Sequence, residues 1–392
     1  MKKFNAILLI AVSALVFASC QKGTKDFPDE NVLRSESTVE DQADVLADRS
    51  GNNSGNVYTM TNSADGNKIK VFKRGHDGSL TYQATYSSGG NGTGSGLGNQ
   101  GGLVLSEDEK TLITVNAGSN NISTFKVAGN GQLVLKSTIS SGGMMPVSVT
   151  IHDDLVYVLN AGGTGNISGF KLGPNDKLYK LHNSTRPLTS SSAGAAQVSF
   201  VRNGNILAIT EKATDKIVTY RVGASGRPFG MKSITSASPT PFGFAADHFG
   251  NIYVSEAVGG AAGASTVSSY HISFNGDITL TEGPVGAGQS AACWVVLTGN
   301  DQYAYVTNAA SNNISSFSIQ PHSGNLDVLE ADAAGADGGP IDAALTKNSK
   351  YLYVLNSGGH SISAYEVSNN GGLTSIGTVG SLPMGTNGLA AR

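Results

Sequence analysis

Apolar residues along this chain fall in short alternating runs rather than helical periods, and one run keeps returning. Its clearest copy is Leu155-Val-Tyr-Val-Leu-Asn-Ala-Gly, followed by Asn166-Ile-Ser-Gly-Phe-Lys-Leu and then Lys177-Leu. Variants recur about seven times with a period of about 48 residues, the range of four-stranded propeller blades. Their first strands are expected at residues 57–61, 112–116, 156–160, 206–210, 252–256, 304–308 and 352–356. A turn of Gly, Asn and Ser follows each, then an alternating strand such as Ile122-Ser-Thr-Phe-Lys-Val or Ile362-Ser-Ala-Tyr-Glu-Val. Alternation with period two buries one face. A hairpin such as Gly129-Asn-Gly or Asn370-Gly-Gly then leads to an outer strand.

A small apolar strand precedes most copies, as in Pro146-Val-Ser-Val-Thr-Ile, Phe242-Gly-Phe-Ala-Ala and Cys293-Trp-Val-Val-Leu. That character suits an innermost strand crowded around an axis. The first copy lacks such a strand, and Thr386-Asn-Gly-Leu-Ala-Ala near the chain end supplies one. The pattern therefore predicts an all-β protein: a seven-bladed β-propeller of four-stranded antiparallel blades over residues 56–392, closed by its C-terminal strand in the first blade. Closure removes the exposed edges of an open array.

Composition changes the picture in two ways. Glycine at 51 of 392 residues and charged residues at only 14% fit many turns and few ion pairs. A net charge of -3 without a Lys/Arg cluster excludes a nucleic-acid footprint. The seven histidines show no metal-ligand spacing, so no cofactor is expected. Gly94-Ser-Gly lacks the strand-turn-helix context of a nucleophile elbow.

The N-terminal segment speaks about location. Met1-Lys-Lys, the apolar run 6–16 and Phe17-Ala-Ser-Cys20 read as a lipoprotein signal over residues 1–20, with Cys20 the lipidated residue. Residues 21–55 are polar and acidic and are expected to form a disordered tether. The protein should then sit in the cell envelope, lipid-anchored in the outer membrane or periplasm, as a monomer. Cys293, beside Trp294, is expected to be a buried inert thiol.

In a propeller the starts of the innermost strands and the ends of the next strands approach one mouth of the central channel, where ligands usually sit. The strand-end positions read Thr61, Asn116, Asn160, Thr210, Glu256, Asn308 and Asn356. The bland account is that asparagine caps a tight turn. The fourth and fifth copies break the pattern with Glu211-Lys212 and Glu256, which makes Glu211 and Glu256 candidate acids, bases or ligands and Lys212 a candidate electrostatic clamp. At the inner-strand starts, Gln197, Trp294 and Asp342 are the unusual occupants. An aspartate in an apolar run needs a hydrogen bond or a wet channel.

These residues resemble the lactonase-type seven-bladed propellers, the superfamily of bacterial 6-phosphogluconolactonases and fungal carboxymuconate lactonizing enzymes. The motifs that carry the likeness are Gly98-Asn-Gln-Gly, Thr210-Glu-Lys-Ala-Thr, Pro241-Phe-Gly-Phe-Ala, Val254-Ser-Glu-Ala, Gln289-Ser-Ala-Ala-Cys-Trp-Val-Val and Gly339-Pro-Ile-Asp, which look like a secreted lipoprotein subgroup. The Pro-Arg-His triplet of the characterised enzymes is absent here, whereas the family's glutamate has its match in Glu256. The resemblance implies hydrolysis of a sugar-type lactone, with Glu256 or Glu211 activating water and Asn308 or Asn356 holding the oxyanion. Two other readings stay open: a propeller that binds a carbohydrate, peptide or partner protein without chemistry, and a divalent cation held by Glu256, Asn308 and Asp342.

Overall fold

The computed structural model describes residues 54–320 and 322–392, which form seven antiparallel sheets. The expected signal, the lipidation site Cys20 and nearly all of the expected tether lie outside the described residues. The first blade runs from Asn387–Ala391 through Gly55–Met60 and Lys68–Arg74 to Leu80–Ser87. The C-terminal strand thus closes the ring, with Val57 opposite Ala391. The second blade runs from Leu103–Leu105 through Thr111–Asn116 and Asn121–Val127 to Leu133–Ser140. The fourth runs from Ala195–Val201 through Ile206–Glu211 and Lys216–Val222 to Pro228–Thr235, and the fifth from Pro241–Ala246 through Asn251–Glu256 and Thr266–Ile272 to Ile278–Gly286. The sixth and seventh repeat this order, from Ala292–Leu297 to Leu326–Gly335 and from Pro340–Leu345 to Leu373–Val379. Only the third departs, its outer edge being split between Leu178–Lys180 and Arg186–Pro187.

Each second strand is covered on both faces by neighbouring blades. Thr111–Asn116, Ile206–Glu211, Asn251–Glu256 and Tyr351–Asn356 are buried at every residue. Two covered faces explain why these segments are so rich in large apolar residues. The outer strands are largely exposed, as in Pro228–Thr235.

Adjacent blades are joined by buried hydroxyls. Tyr58 donates to the Gly131 carbonyl (3.2 Å), Tyr157 to Gly226 (2.6 Å), Tyr305 to Gly371 (2.9 Å) and Tyr353 to Gly78 (2.8 Å). Each acceptor lies in the hairpin turn of the next blade, so the Tyr353 bond ties the seventh blade to the first. Where the second strand has Ile113 or Ala208 instead, a third-strand threonine substitutes: Thr124 donates to Asp176 (2.7 Å) and Thr219 to Gly276 (2.6 Å).

Candidate functional site

Strand pairing fixes which residues share a level around the axis. Asn160 faces Pro146, Glu211 faces Ala195, Glu256 faces Pro241, Asn308 faces Ala292 and Asn356 faces Pro340. The fourth second strand therefore ends at Glu211 and not at Thr210, which corrects the sequence expectation by one residue. The two glutamates occupy equivalent positions in adjacent blades.

Their side chains, and those of the asparagines, turn toward neighbouring strands of the blades rather than into the channel. Asn116 Nδ2 donates to Asn121 Oδ1 (2.7 Å) and Ser123 Oγ (2.8 Å). Asn308 does the same to Asn313 (2.9 Å) and Ser315 (2.8 Å), and Asn356 to Ser361 (3.1 Å) and Ser363 (2.9 Å). Each amide thus clips the second strand to the third, five and seven residues on. Glu256 uses the same register with reversed polarity. Its Oε2 accepts from Thr266 Oγ1 and Ser268 Oγ, both at 2.7 Å. Its Oε1 accepts from Ser236 Oγ (2.6 Å), Tyr270 OH (3.0 Å) and the Ser238 N–H (3.1 Å). Burial, and secondarily the Glu256 charge, push the Tyr270 phenol up to about 12, which keeps it a donor.

Glu211 finds Lys216 and Val218 opposite it and on the same side of the third strand, so it takes its donors from elsewhere. Its Oε1 accepts the Thr189 N–H (2.9 Å), and its Oε2 accepts Thr214 Oγ1 (2.7 Å) and Thr189 Oγ1. Both carboxylates are fully buried. With three and five donors around them, both oxygens of each carboxylate are engaged within the blades.

The residue that does reach the mouth is the next one along. The N–H groups of Lys212, Ala257, Ala309 and Ser357 each bond the carbonyl just before an inner strand, which places these four residues on one ring. Three of the four are small. Lys212 extends its Nζ to the Gly98 carbonyl and lies 4.5 Å from the centroid of the Phe242 ring. No carboxylate among the described residues pairs with it, and burial pulls its ammonium down to about 8.

Gln197, Trp294 and Asp342 share the next level down. Gln197 faces Thr210 and Asp342 faces Leu355, and the Trp294 backbone N–H donates to Thr307 Oγ1 (3.3 Å). All three are buried. Gln197 grips the Phe244 backbone with both ends of its amide, accepting at 2.7 Å and donating at 3.1 Å. Asp342 accepts the N–H of Ala343 (3.0 Å), and Trp294 packs against Phe242 at 6.0 Å between ring centroids. These contacts make the level a packed collar.

The collar is filled by a segment to which sequence reasoning assigned no role. Residues 88–102 connect the first blade to the second, against 141–143 between the second and third. Within that long connection Leu97, Asn99 and Gln100 are buried. Gln100 Nε2 donates to the carbonyls of Phe244 (3.3 Å) and Val295 (3.4 Å), its N–H bonds Ala196 O (2.8 Å), and Asn99 bonds Val147 O. One connection thereby touches the third, fourth, fifth and sixth blades. Gly243 is required by this approach, because a Cβ there would lie 1.7 Å from Gln100 Oε1. The available signal was two amide residues inside an unusually glycine-rich connection.

Two other expectations can be placed. Cys293 is buried in the collar beside Trp294. Among the described residues no three His, Cys, Asp or Glu side chains gather as a metal site, and the Glu256 oxygens that a cation would need are already occupied.

The sequence profile of the lactonase, 7-bladed beta-propeller family matches residues 55–192 and 264–386. The chain belongs to that family. The match leaves out residues 193–263, the stretch that carries Glu211, Lys212 and Glu256. No curated protein matches by sequence. Solved lactonase-type propellers match in fold. A protein from Bacteroides uniformis described as a 6-phosphogluconolactonase superposes with a TM-score of 0.71 at 16% identity, covering 87% of this chain and 100% of its own. A Bacteroides fragilis protein of the same description gives 0.68 at 17%, covering 86% and 97%. The periplasmic gluconolactonase PpgL of Pseudomonas aeruginosa gives 0.66 at 16%, covering 86% and 99%.

Proposed function

We propose that this lactonase-family propeller binds a sugar-type lactone at the channel mouth and opens it, with Lys212 rather than a carboxylate as the reactive group. The observation that carries the reading is the amine itself: unpaired by any described acid, set against the Phe242 ring, and pulled down to about 8. A group with that pKa is partly neutral near neutral pH, as a general base must be. Neutral Lys212 would take a proton from water as the water oxygen attacks the lactone carbonyl. The ring C–O bond then breaks, the departing alkoxide takes the remaining proton from the new carboxyl group, and the ammonium faces the resulting carboxylate. In this reading Glu211 and Glu256 shape the mouth from behind. Trp294, Gln197, Asp342, Asn308 and Asn356 support its walls.

The envelope location and the lipid anchor at Cys20 belong to the same proposal. The name of the Pseudomonas aeruginosa neighbour, a periplasmic gluconolactonase, agrees with it.

A second reading, a propeller that binds a carbohydrate or peptide without turnover, is favoured by one observation: the two buried carboxylates have all their oxygens committed to donors. One assay separates the two. Purified protein is offered a panel of aldono-lactones and homoserine lactones, with and without chelator, alongside Lys212→Met and Glu256→Gln. Turnover that Lys212→Met abolishes supports the lactonase reading. Saturable binding without turnover on any lactone supports the second. Turnover lost on chelation would instead implicate a cation.

A further inference from the structure

The face opposite the plugged mouth carries a separate cleft, between the fourth and fifth blades. It has a volume of about 250 Å³ and is lined by Asn205, Arg221, Val222, Gly223, Phe229 and Phe274. Asn205 lies in the turn before Ile206–Glu211, Gly223 in the turn after Lys216–Val222, and Phe274 in the hairpin before Ile278–Gly286. All three turns are at the strand ends farthest from Lys212.

The chemistry of this lining is uneven. Among the described residues none makes a hydrogen bond or ion pair to the Arg221 guanidinium, whose carbon sits 4.8 Å from the Phe229 ring centroid. The nearby acid of the hairpin, Asp277, is already held by Lys232 at 2.6 Å and by Ser273 at 3.2 Å. No described acid therefore compensates the Arg221 charge. Phe229 is 44% exposed although it faces Arg221 across the sheet. Phe274, on the other wall, is pinned by the buried Arg202 at 4.7 Å. The hairpin carrying it is fixed by the Thr219 bond to Gly276 (2.6 Å). Asn205 spends its Nδ2 on the carbonyls of Arg202 and Asn203 and turns no donor outward.

We infer that this cleft binds the carboxylate of a six-membered sugar acid, its ring laid against Phe229 and Phe274 and its carboxyl paired with Arg221. Arginine matches a carboxylate with two parallel N–H donors. An aromatic wall covers the apolar face of a sugar ring, and the ring hydroxyls can donate to Asn205 Oδ1. The volume lies below the 300–1,000 Å³ typical of drug-sized ligands, which suits one ring and excludes an extended chain from lying inside. The acid can reach the cleft as a free uronic acid or as the terminal residue of an acidic oligosaccharide. The recognition is the same in both cases.

The test is calorimetric titration of the protein with D-galacturonate, with trigalacturonate, with neutral D-galactose and with acetate. Saturable binding of either acid, weakened by about tenfold or more in Arg221→Gln and again in Phe229→Ala, supports the site. Stronger binding of the trimer than of the monomer assigns the ligand to oligosaccharide ends, and equal binding to the free acid. Lys212→Met should leave these affinities unchanged, which keeps this result separate from the fate of the lactonase reading. The inference is overturned if neither acid binds, if galactose or acetate binds as well as the acids do, or if Arg221→Gln, shown to be folded by circular dichroism, binds unchanged.

Discussion

The fifth blade and the sixth solve one structural problem with opposite chemistry. Both must fasten the end of the second strand to the start of the third. The sixth does so with a neutral amide, Asn308, which donates to Asn313 and Ser315. The fifth places an anion there, Glu256, and surrounds it with five donors. A buried charge survives only when its oxygens are satisfied, so Ser236, Thr266, Ser268 and Tyr270 exist as a set. The fourth blade has the anion without the matching third strand, and Glu211 borrows Thr189 and Thr214 instead. A departure from the repeat therefore need not mark chemistry. The residue beside the departure, Lys212, has no acid among the described residues to balance it.

Removing the anion should break the comparison most severely. Glu256→Ala strands five donors in a dry site and should cost about 3–5 kcal/mol, read by urea unfolding. Asn308→Ala removes only neutral bonds and should cost about 1–3 kcal/mol in the same experiment. If the two losses are equal, the charge in the fifth blade adds nothing.

The plug comes next. Gly243→Ala would force Gln100 aside, because the new Cβ lies 1.7 Å from its Oε1. Overpacking of this kind costs about 1–3 kcal/mol. Gln100→Ala in the same background should recover part of the loss, and hydrogen exchange at residues 97–102 should rise in Gly243→Ala alone. No recovery would place the clash with the Cys293 carbonyl, 2.8 Å from the same Cβ, in control.

The third test concerns Lys212 and is read through pH. Its folded-state pKa is lowered from 10.5 to about 8, so between those values the unfolded chain binds the proton that the folded one has released. Stability should rise with pH across that window and be least below about 8. Lys212→Met should flatten the slope and change stability little at pH 10 and above. Under the lactonase reading the same substitution removes the limb of the rate profile that rises through about 8. A pH slope that persists in Lys212→Met would assign the titration to another group.

Much of the fold was legible without coordinates. Period-two alternation in Ile122-Ser-Thr-Phe-Lys-Val, repeated with a constant spacing, already implies blades packed face to face. The missing first inner strand and the small apolar segment near the chain end imply ring closure, because only a closed ring leaves no edge. The odd residues of the fourth and fifth blades could be picked out by comparing the chain with itself. Their orientation could not. Whether Glu256 looks into a channel or across to Thr266 depends on the twist of the second strand against the third, and sequence spacing is blind to that. The same holds for the tyrosine bonds from one blade to the next hairpin and for Gln100 reaching blades far away in sequence. Local pattern set the strands and their number, since alternation and turns act over a few residues. Tertiary structure alone set which polar groups meet, since those meetings are made between strands of a twisted blade, across a blade boundary or through the axis of the ring.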